Sequence, residues 1–206
     1  MSLSIYQLKP KFQQLLQPLL SGLARWKISP NQVTILAVLL SLAYGTSLAC
    51  FPRDYRLWAC LPLFMFLRMA LNAIDGMLAN FTGQKTALGA MLNEICDQIS
   101  DAALVLPFAL VNGVQPPLLI IVALLAMLVE FAGVAALLAG SARRFDGPMG
   151  KSDRAFAFGL LGLLVAFDVA AIWMNTLLLV VFLLLIWTLI NRVRKSLQHP
   201  VARPIP

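Results

Sequence analysis

Residues 72–101 read NAIDGMLANFTGQKTALGAMLNEICDQISD, and this stretch decides the fold because four carboxylates, Asp75, Glu94, Asp97 and Asp101, stand inside two otherwise apolar runs. An unpaired charge in hydrocarbon costs roughly 2.5–3.5 kcal/mol even on insertion scales, so a group of carboxylates there asks for a cation. The loop between Asn80 and Ala87 is short, which makes the two runs antiparallel helical neighbours. On a helix, positions 72, 75, 76 and 79 share one face, and positions 89, 93, 97 and 101 share another at spacings of four. The expectation is a polar pocket holding the carboxylates of Asp75 and Asp97 and the amides of Asn72 and Asn93, with Asp101 a turn deeper. Oxygen donors of this kind suit Mg²⁺ or Mn²⁺, which share their coordination with substrate phosphates. Gly76, Ala79, Gly83, Gly89 and Ala90 leave room for close helix approach or for a polar ligand beside the backbone. The competing reading is a ladder of salt bridges, and for it these spans supply only Arg68 and the loop residue Lys85.

The surroundings fit a membrane protein. The chain has 206 residues, of which 60% are hydrophobic and 12% charged, outside the usual composition of a soluble domain. The fold class expected is an all-α polytopic membrane protein with one domain over 1–206. Six spans are read at about 32–51, 57–80, 87–112, 117–140, 155–173 and 176–191, each near the length that crosses a bilayer core. No cleavable leader and no internal repeat are visible. Ahead of the spans, Leu8, Phe12, Leu15, Leu16, Leu19, Leu23 and Trp26 recur at steps of three and four across residues 4–27. That is the pattern of an amphipathic juxtamembrane helix lying in the headgroup layer, or of one packed on the bundle; Pro10 and Pro18 argue against an unbroken helix. In KISPNQVT, Ser29 is placed to cap the first span and Pro30 to occupy its first turn. Cys50, Cys60 and Cys96 have neither disulfide nor zinc spacing.

The net charge of +7 does not indicate nucleic acid, because the basic residues punctuate apolar runs. Lys9, Lys11, Arg25, Lys27, Lys85, Arg143, Arg144, Lys151, Arg154, Arg192, Arg194, Lys195 and Arg203 fall on one side of the six-span arrangement, against Arg53 and Arg56 on the other. By the positive-inside rule, both termini, the Lys85 loop, the Lys151 loop and the acidic pocket face the cytoplasm. Glu130 and Asp168 stand alone in their spans and are given no role.

The pattern N-A-I-D-G-M-L-A-N, then eight residues, then G-A-M-L-N-E-I-C-D resembles the signature of the CDP-alcohol phosphatidyltransferase family, D-x-x-D-G-x-x-A-R followed by G-x-x-x-D-x-x-x-D. PNQVT at the first span, Thr86 before the second glycine block and the six spans extend the likeness over nearly the whole chain. The resemblance implies an enzyme of phospholipid biosynthesis in a bacterial inner membrane. It would transfer a phosphatidyl or similar phospho-alcohol group from a CDP-alcohol such as CDP-diacylglycerol to an alcohol acceptor and release CMP. Carried over residue by residue, the metal set is Asn72, Asp75, Asn93 and Asp97 with Mg²⁺ or Mn²⁺, and Asp97 is the base. Asn31, Gln32, Val33, Thr34, Gly76, Ala79, Asn80, Thr86 and Gly89 would contact the CDP-lipid, and Lys151 and Arg154 an acceptor that bears phosphate. A homodimer is implied by analogy.

Three departures stand out: Asn72 and Asn93 replace two family aspartates, and Asn80 replaces the arginine. An amide oxygen brings no charge, so metal affinity should fall or a single ion suffice; Glu94 could compensate if its helix turned by about 100°. The alternative function is therefore a catalytically impaired relative that binds CDP-lipid or a partner enzyme. An ion-coupled carrier is weaker, since inverted repeats are absent.

Overall fold

The computed structural model describes residues 9–198; the first residues of the 4–27 helix, Leu8 among them, and Arg203 lie outside the described residues. Seven α-helices follow in order: α1 (Lys9–Arg25), α2 (Pro30–Cys50), α3 (Tyr55–Phe81), α4 (Ala87–Val105), α5 (Pro116–Ala135), α6 (Lys151–Ala166) and α7 (Ala171–Gln198). No strand occurs among the described residues. Four helices, α2, α3, α5 and α7, are long and apolar enough to cross a membrane. The six-span expectation differs at α4, which carries Glu94, Asp97 and Asp101, and at α6, which has 16 residues.

The local reasons for these elements are plain. Ser29 caps α2 with Pro30 in the first turn, and Gln32 Oε1 accepts the Ser29 N–H at 2.8 Å to complete a capping box. Thr86 Oγ1 caps α4 through the Gly89 N–H at 3.0 Å. Helix α1 runs unbroken through Pro18, contrary to expectation. Pro10 falls in its first turn, where backbone N–H groups have no helical partner to lose. α1 packs on the bundle, Leu16 and Leu20 lying with Val33, Ala70, Ile74 and Leu78 of α2 and α3.

The third run stops being α-helical at Val105, one residue before a 3-10 turn over Leu106–Leu110 that contains Pro107. The fourth stops at Ala135 rather than 140, because the chain turns back and the Arg144 N–H bonds the Gly133 carbonyl at 3.0 Å.

Helices α2 to α7 alternate in direction. One end carries the turns at 26–29, 82–86 and 136–150. The other is tied by Asn175, whose amide accepts the Gln115 N–H at 2.9 Å and donates to the Gly113 carbonyl at 2.7 Å. An apolar core of Trp58, Leu61, Leu104, Phe108, Leu119, Val122, Leu161 and Leu178 fills the half near Asn175. The other half holds most of the buried charge. Outward faces are also apolar, as with Leu36, Leu39, Leu63, Phe66, Leu124 and Leu183, which suits helices surrounded by lipid.

Close helix crossings rest on small residues. At Gly45 a Cβ would run into the Ala103 carbonyl of α4, and at Gly162 it would stand 3.0 Å from the Trp58 carbonyl of α3. Gly45→Ala should therefore destabilise by about 1–3 kcal/mol, outweighing the roughly 1 kcal/mol that alanine gains in helix propensity. Gly76→Ala, where a Cβ meets nothing within 4 Å, should keep that gain and raise the melting temperature slightly in the same detergent.

Candidate functional site

The acidic residues of α4 face α3 as the helical periods require, but they do not face an empty centre, and the expected meeting of Asp75 with Asp97 in one pocket is not formed. Asp97, buried on α4, accepts hydrogen bonds on both carboxylate oxygens. Asn72 Nδ2 donates to Oδ1 at 2.5 Å and Lys151 Nζ to Oδ2 at 2.5 Å. Arg68 Nη2 stands 3.6 Å from Oδ1 and donates to the Asp97 carbonyl at 3.1 Å. Asp75, also buried, looks the other way, accepting from Thr34 Oγ1 of α2 at 2.8 Å.

Asp101 lies between two guanidinium groups, paired with Arg68 Nη1 and bonded by Arg154 Nη2 at 2.8 Å. Arg154 reaches on to Glu130 of α5, its Nη1 donating to Oε1 at 2.9 Å, and Arg192 of α7 approaches the same carboxylate at 3.3 Å. Glu94 is paired with Arg143, whose Nη2 donates to Oε2 at 2.9 Å, and lies 3.7 Å from Lys151. Arg143 also comes within 3.6 Å of Glu130. The salt-bridge ladder that the two spans alone could not supply is thus built, with cations from α3, the α5–α6 loop, α6 and α7.

The loop is seated firmly. Gly147 (φ +117°) lies so close to α7 that a Cβ would stand 2.6 Å from Thr188 Cγ2, and Thr188 Oγ1 accepts the Met149 N–H at 3.0 Å. Arg143 and Lys151 are thereby held over the acidic hairpin.

Beside Asp97 opens a cavity of about 660 Å³, lined at its polar end by Asn72, Asn93, Asp97, Arg143 and Lys151 and at its apolar end by residues such as Pro62, Phe66, Leu160 and Leu163 of α3 and α6. That volume is typical of small-molecule pockets. Asn93 Oδ1 is buried with no hydrogen-bond partner among the described residues.

The expected lipid-contacting residues divide. Asn31, Thr86 and Gly89 come together where α2 meets α4, since a Cβ on Gly89 would lie 2.9 Å from Asn31 Oδ1 and 3.1 Å from Thr86 Oγ1. Gly76 is exposed with open space above it. Asn80 is exposed too, and its amide donates back to the Gly76 carbonyl at 2.8 Å. Ala79 is partly buried beside them. Val33 packs in the core with α1 and α3, and Gln32 is engaged in its cap. Of the acceptor pair, Lys151 lines the cavity, whereas Arg154 is 3% exposed and spends both ends on Asp101 and Glu130.

The geometry does not suit Mg²⁺ or Mn²⁺. Such an ion takes about six oxygens in near-octahedral array. Here both oxygens of Asp97 already accept hydrogen bonds, Asn72 presents its NH₂ end, and Asp75 is turned toward Thr34. No group of three or more Asp, Glu, His or Cys side chains gathers around a common point among the described residues. Glu94 does not compensate, being held by Arg143 and Lys151.

Sequence reasoning missed Glu130, Arg143 and Arg192 as partners. The available signal was Glu130 itself, since an ionisable residue inside an apolar span calls for an opposite charge on another helix.

Comparison with known proteins accords with the fold. The sequence model of the CDP-alcohol phosphatidyltransferase family matches residues 27–195. The chain is 43% identical to the inner membrane protein YnbA of Escherichia coli, over 95% of this chain and 97% of that one. It is 30% identical to a phosphatidylinositol phosphate synthase of Corynebacterium glutamicum, over 78% and 74% of the two chains. The phosphatidylinositol phosphate synthase of Mycobacterium tuberculosis shares the fold in two crystal structures. One, with CDP-DAG bound, superposes at TM-score 0.73 with 19% identity over 93% of this chain and 98% of that one. The other, with manganese and citrate, superposes at 0.70 with 22% identity over 91% of each.

Because Glu130 is buried between Arg154 and Arg192, Glu130→Gln should strand buried cations and cost about 3–5 kcal/mol, read as a lower melting temperature in detergent. Glu94→Gln, at a partly exposed pair, should cost about 1 kcal/mol or less.

Proposed function

The chain belongs to the CDP-alcohol phosphatidyltransferase family, and from that premise we propose that it transfers a phosphatidyl or similar phospho-alcohol group from a CDP-alcohol such as CDP-diacylglycerol to an alcohol acceptor. The observation that carries this reading is the cavity beside Asp97, polar where it meets Lys151 and Asn93 and apolar between α3 and α6. An amphiphile with a phosphate head matches both ends. The setting is a multi-pass protein of the bacterial inner membrane with six passes, the termini and the site on the cytoplasmic side. There the acyl chains stay in lipid while nucleotide and acceptor come from water.

In the reaction, the acceptor oxygen attacks the β-phosphorus of the CDP-lipid. The bond from that phosphorus to the oxygen bridging the two phosphates breaks, CMP leaves with the electron pair, and the hydroxyl proton passes to Asp97. Asn93 Oδ1, which has no hydrogen-bond partner among the described residues, accepts from a donor group of the acceptor other than the reacting hydroxyl and so orients it. Lys151 holds Asp97 Oδ2. A phosphate in the cavity competes for that ammonium and draws it away, so the base is uncovered as the substrate arrives. The cytidine end of the donor is assigned by the family pattern to Asn31, Thr34, Gly76, Ala79, Asn80, Thr86 and Gly89. Lys151 and Arg143 give the cavity a preference for an acceptor that itself bears phosphate.

A second reading, a family relative that binds CDP-lipid without turning it over, is favoured by the three donors crowded on Asp97. Purified protein supplied with CDP-diacylglycerol and a panel of alcohols, with CMP release measured, separates the two. Turnover is expected, highest with phosphorylated acceptors, and Asp97→Asn should lower it by about 10²-fold or more. Silence across the panel together with retained CDP-lipid binding would establish the second reading.

A further inference from the structure

We propose that Lys151 is the resident cation of this site, an ammonium standing where a divalent ion would otherwise neutralise Asp97, so that the diphosphate of a CDP-lipid is bound without a divalent metal. The inference deepens the reading above, resting on it for the identity of the diphosphate.

The ladder's carboxylates are neutralised without an added ion. Four carboxylates, Glu94, Asp97, Asp101 and Glu130, are paired with five cations, Arg68, Arg143, Lys151, Arg154 and Arg192. A dication added to this set would add to the excess positive charge of a largely buried region.

Asn72 explains how the balance is kept. Its Nδ2 lies 2.5 Å from Asp97 Oδ1. An aspartate at 72 would bring a second carboxylate to that contact, and two carboxylates cannot adjoin without a shared proton or a cation between them. The amide supplies a donor instead, which removes one demand for positive charge, and Lys151 on the other oxygen removes the rest. Position 93, also an amide, adds no charge either.

The placement of Lys151 points the same way. It is the first residue of α6, where the helix dipole disfavours a cation, yet it reaches across to Asp97 and Glu94 of α4. Its side chain keeps 29% exposure and lines the cavity. A flexible ammonium with three donors can leave a carboxylate for a phosphate and return, a motion that Arg154, fixed at both ends, cannot make.

The test uses the purified full chain in detergent, stripped with EDTA. Binding of Mn²⁺ alone is followed by the loss of the free-ion EPR signal, and binding of CDP-diacylglycerol is measured in EDTA and in Mn²⁺. The expected result is no stoichiometric Mn²⁺ site in the wild type and a lipid affinity that agrees within about twofold between the two conditions, as linkage requires when the ion is not coupled to the site. Asn72→Asp combined with Lys151→Gln should create a Mn²⁺ site. One Mn²⁺ bound per wild-type chain and lost in Asp97→Asn would overturn the inference. So would a lipid affinity that vanishes in EDTA, or a folded double variant that takes up no Mn²⁺. The EPR measurement contains no nucleotide or acceptor, so its outcome is independent of whether the chain releases CMP.

Discussion

The bonds from Arg154 to Asp101 on one side and to Glu130 on the other are the constraint on which the bundle depends. Hydrocarbon supplies no hydrophobic drive between helices, so TM helices associate through close packing and polar contacts. Gly45, Gly159 and Gly162 permit the close approach of α2 to α4 and of α3 to α6, but small residues tolerate sliding. A guanidinium that is 3% exposed and bonded at both ends does not. It fixes α6 against α4 and α5 together, and Arg68 and Arg192 extend the same restraint to α3 and α7. A buried pair need not add net stability over an apolar substitute; its contribution here is register.

That register is what gives the site its asymmetry. The lower part of the ladder, Arg68, Asp101, Arg154 and Glu130, is ion-paired within itself and largely buried. In the upper part Asp97, Arg143 and Lys151 border the cavity, which Glu130 and Arg192 also line, and Glu94, Arg143 and Lys151 are partly exposed while Asp97 is buried. The α5–α6 loop, fastened by Gly147 and Thr188 to α7, carries Arg143 to Glu94.

Much of this architecture was legible in the sequence, because it depends on local rules. Ser29, Pro30 and Gln32 spell a helix start, the 80–87 interval spells a tight hairpin, and spacings of four put Asn93, Asp97 and Asp101 on one face of α4 toward α3. Apart from Arg68, the partners of those carboxylates were not legible, because they arrive from far along the chain: Arg154 is 53 residues from Asp101, and Lys151 is 54 from Asp97. Positive-inside counting treated Arg143, Lys151, Arg154 and Arg192 as anchors at a membrane face. A basic residue near the end of a span serves orientation and ion pairing alike, and only packing tells which. Helix ends were misjudged at Ala135 and Val105 for a related reason, since an apolar run continues through a turn without changing composition.

The two asparagines acquire a physical meaning once the cations are in place. Taken alone, Asn72 looks like a ligand weakened by the loss of charge. Beside Lys151 it is the kind of residue that fits, since a carboxylate there would stand against Asp97 with no cation between them. The identities at 72 and 151 are therefore coupled: with lysine on Asp97, an aspartate at 72 buries one negative charge too many, and with asparagine at 72, removal of the lysine leaves Asp97 short of its closest cation. A change at either position acquires its sign from the other, which is the signature of a charge-balanced pair rather than of two independent losses.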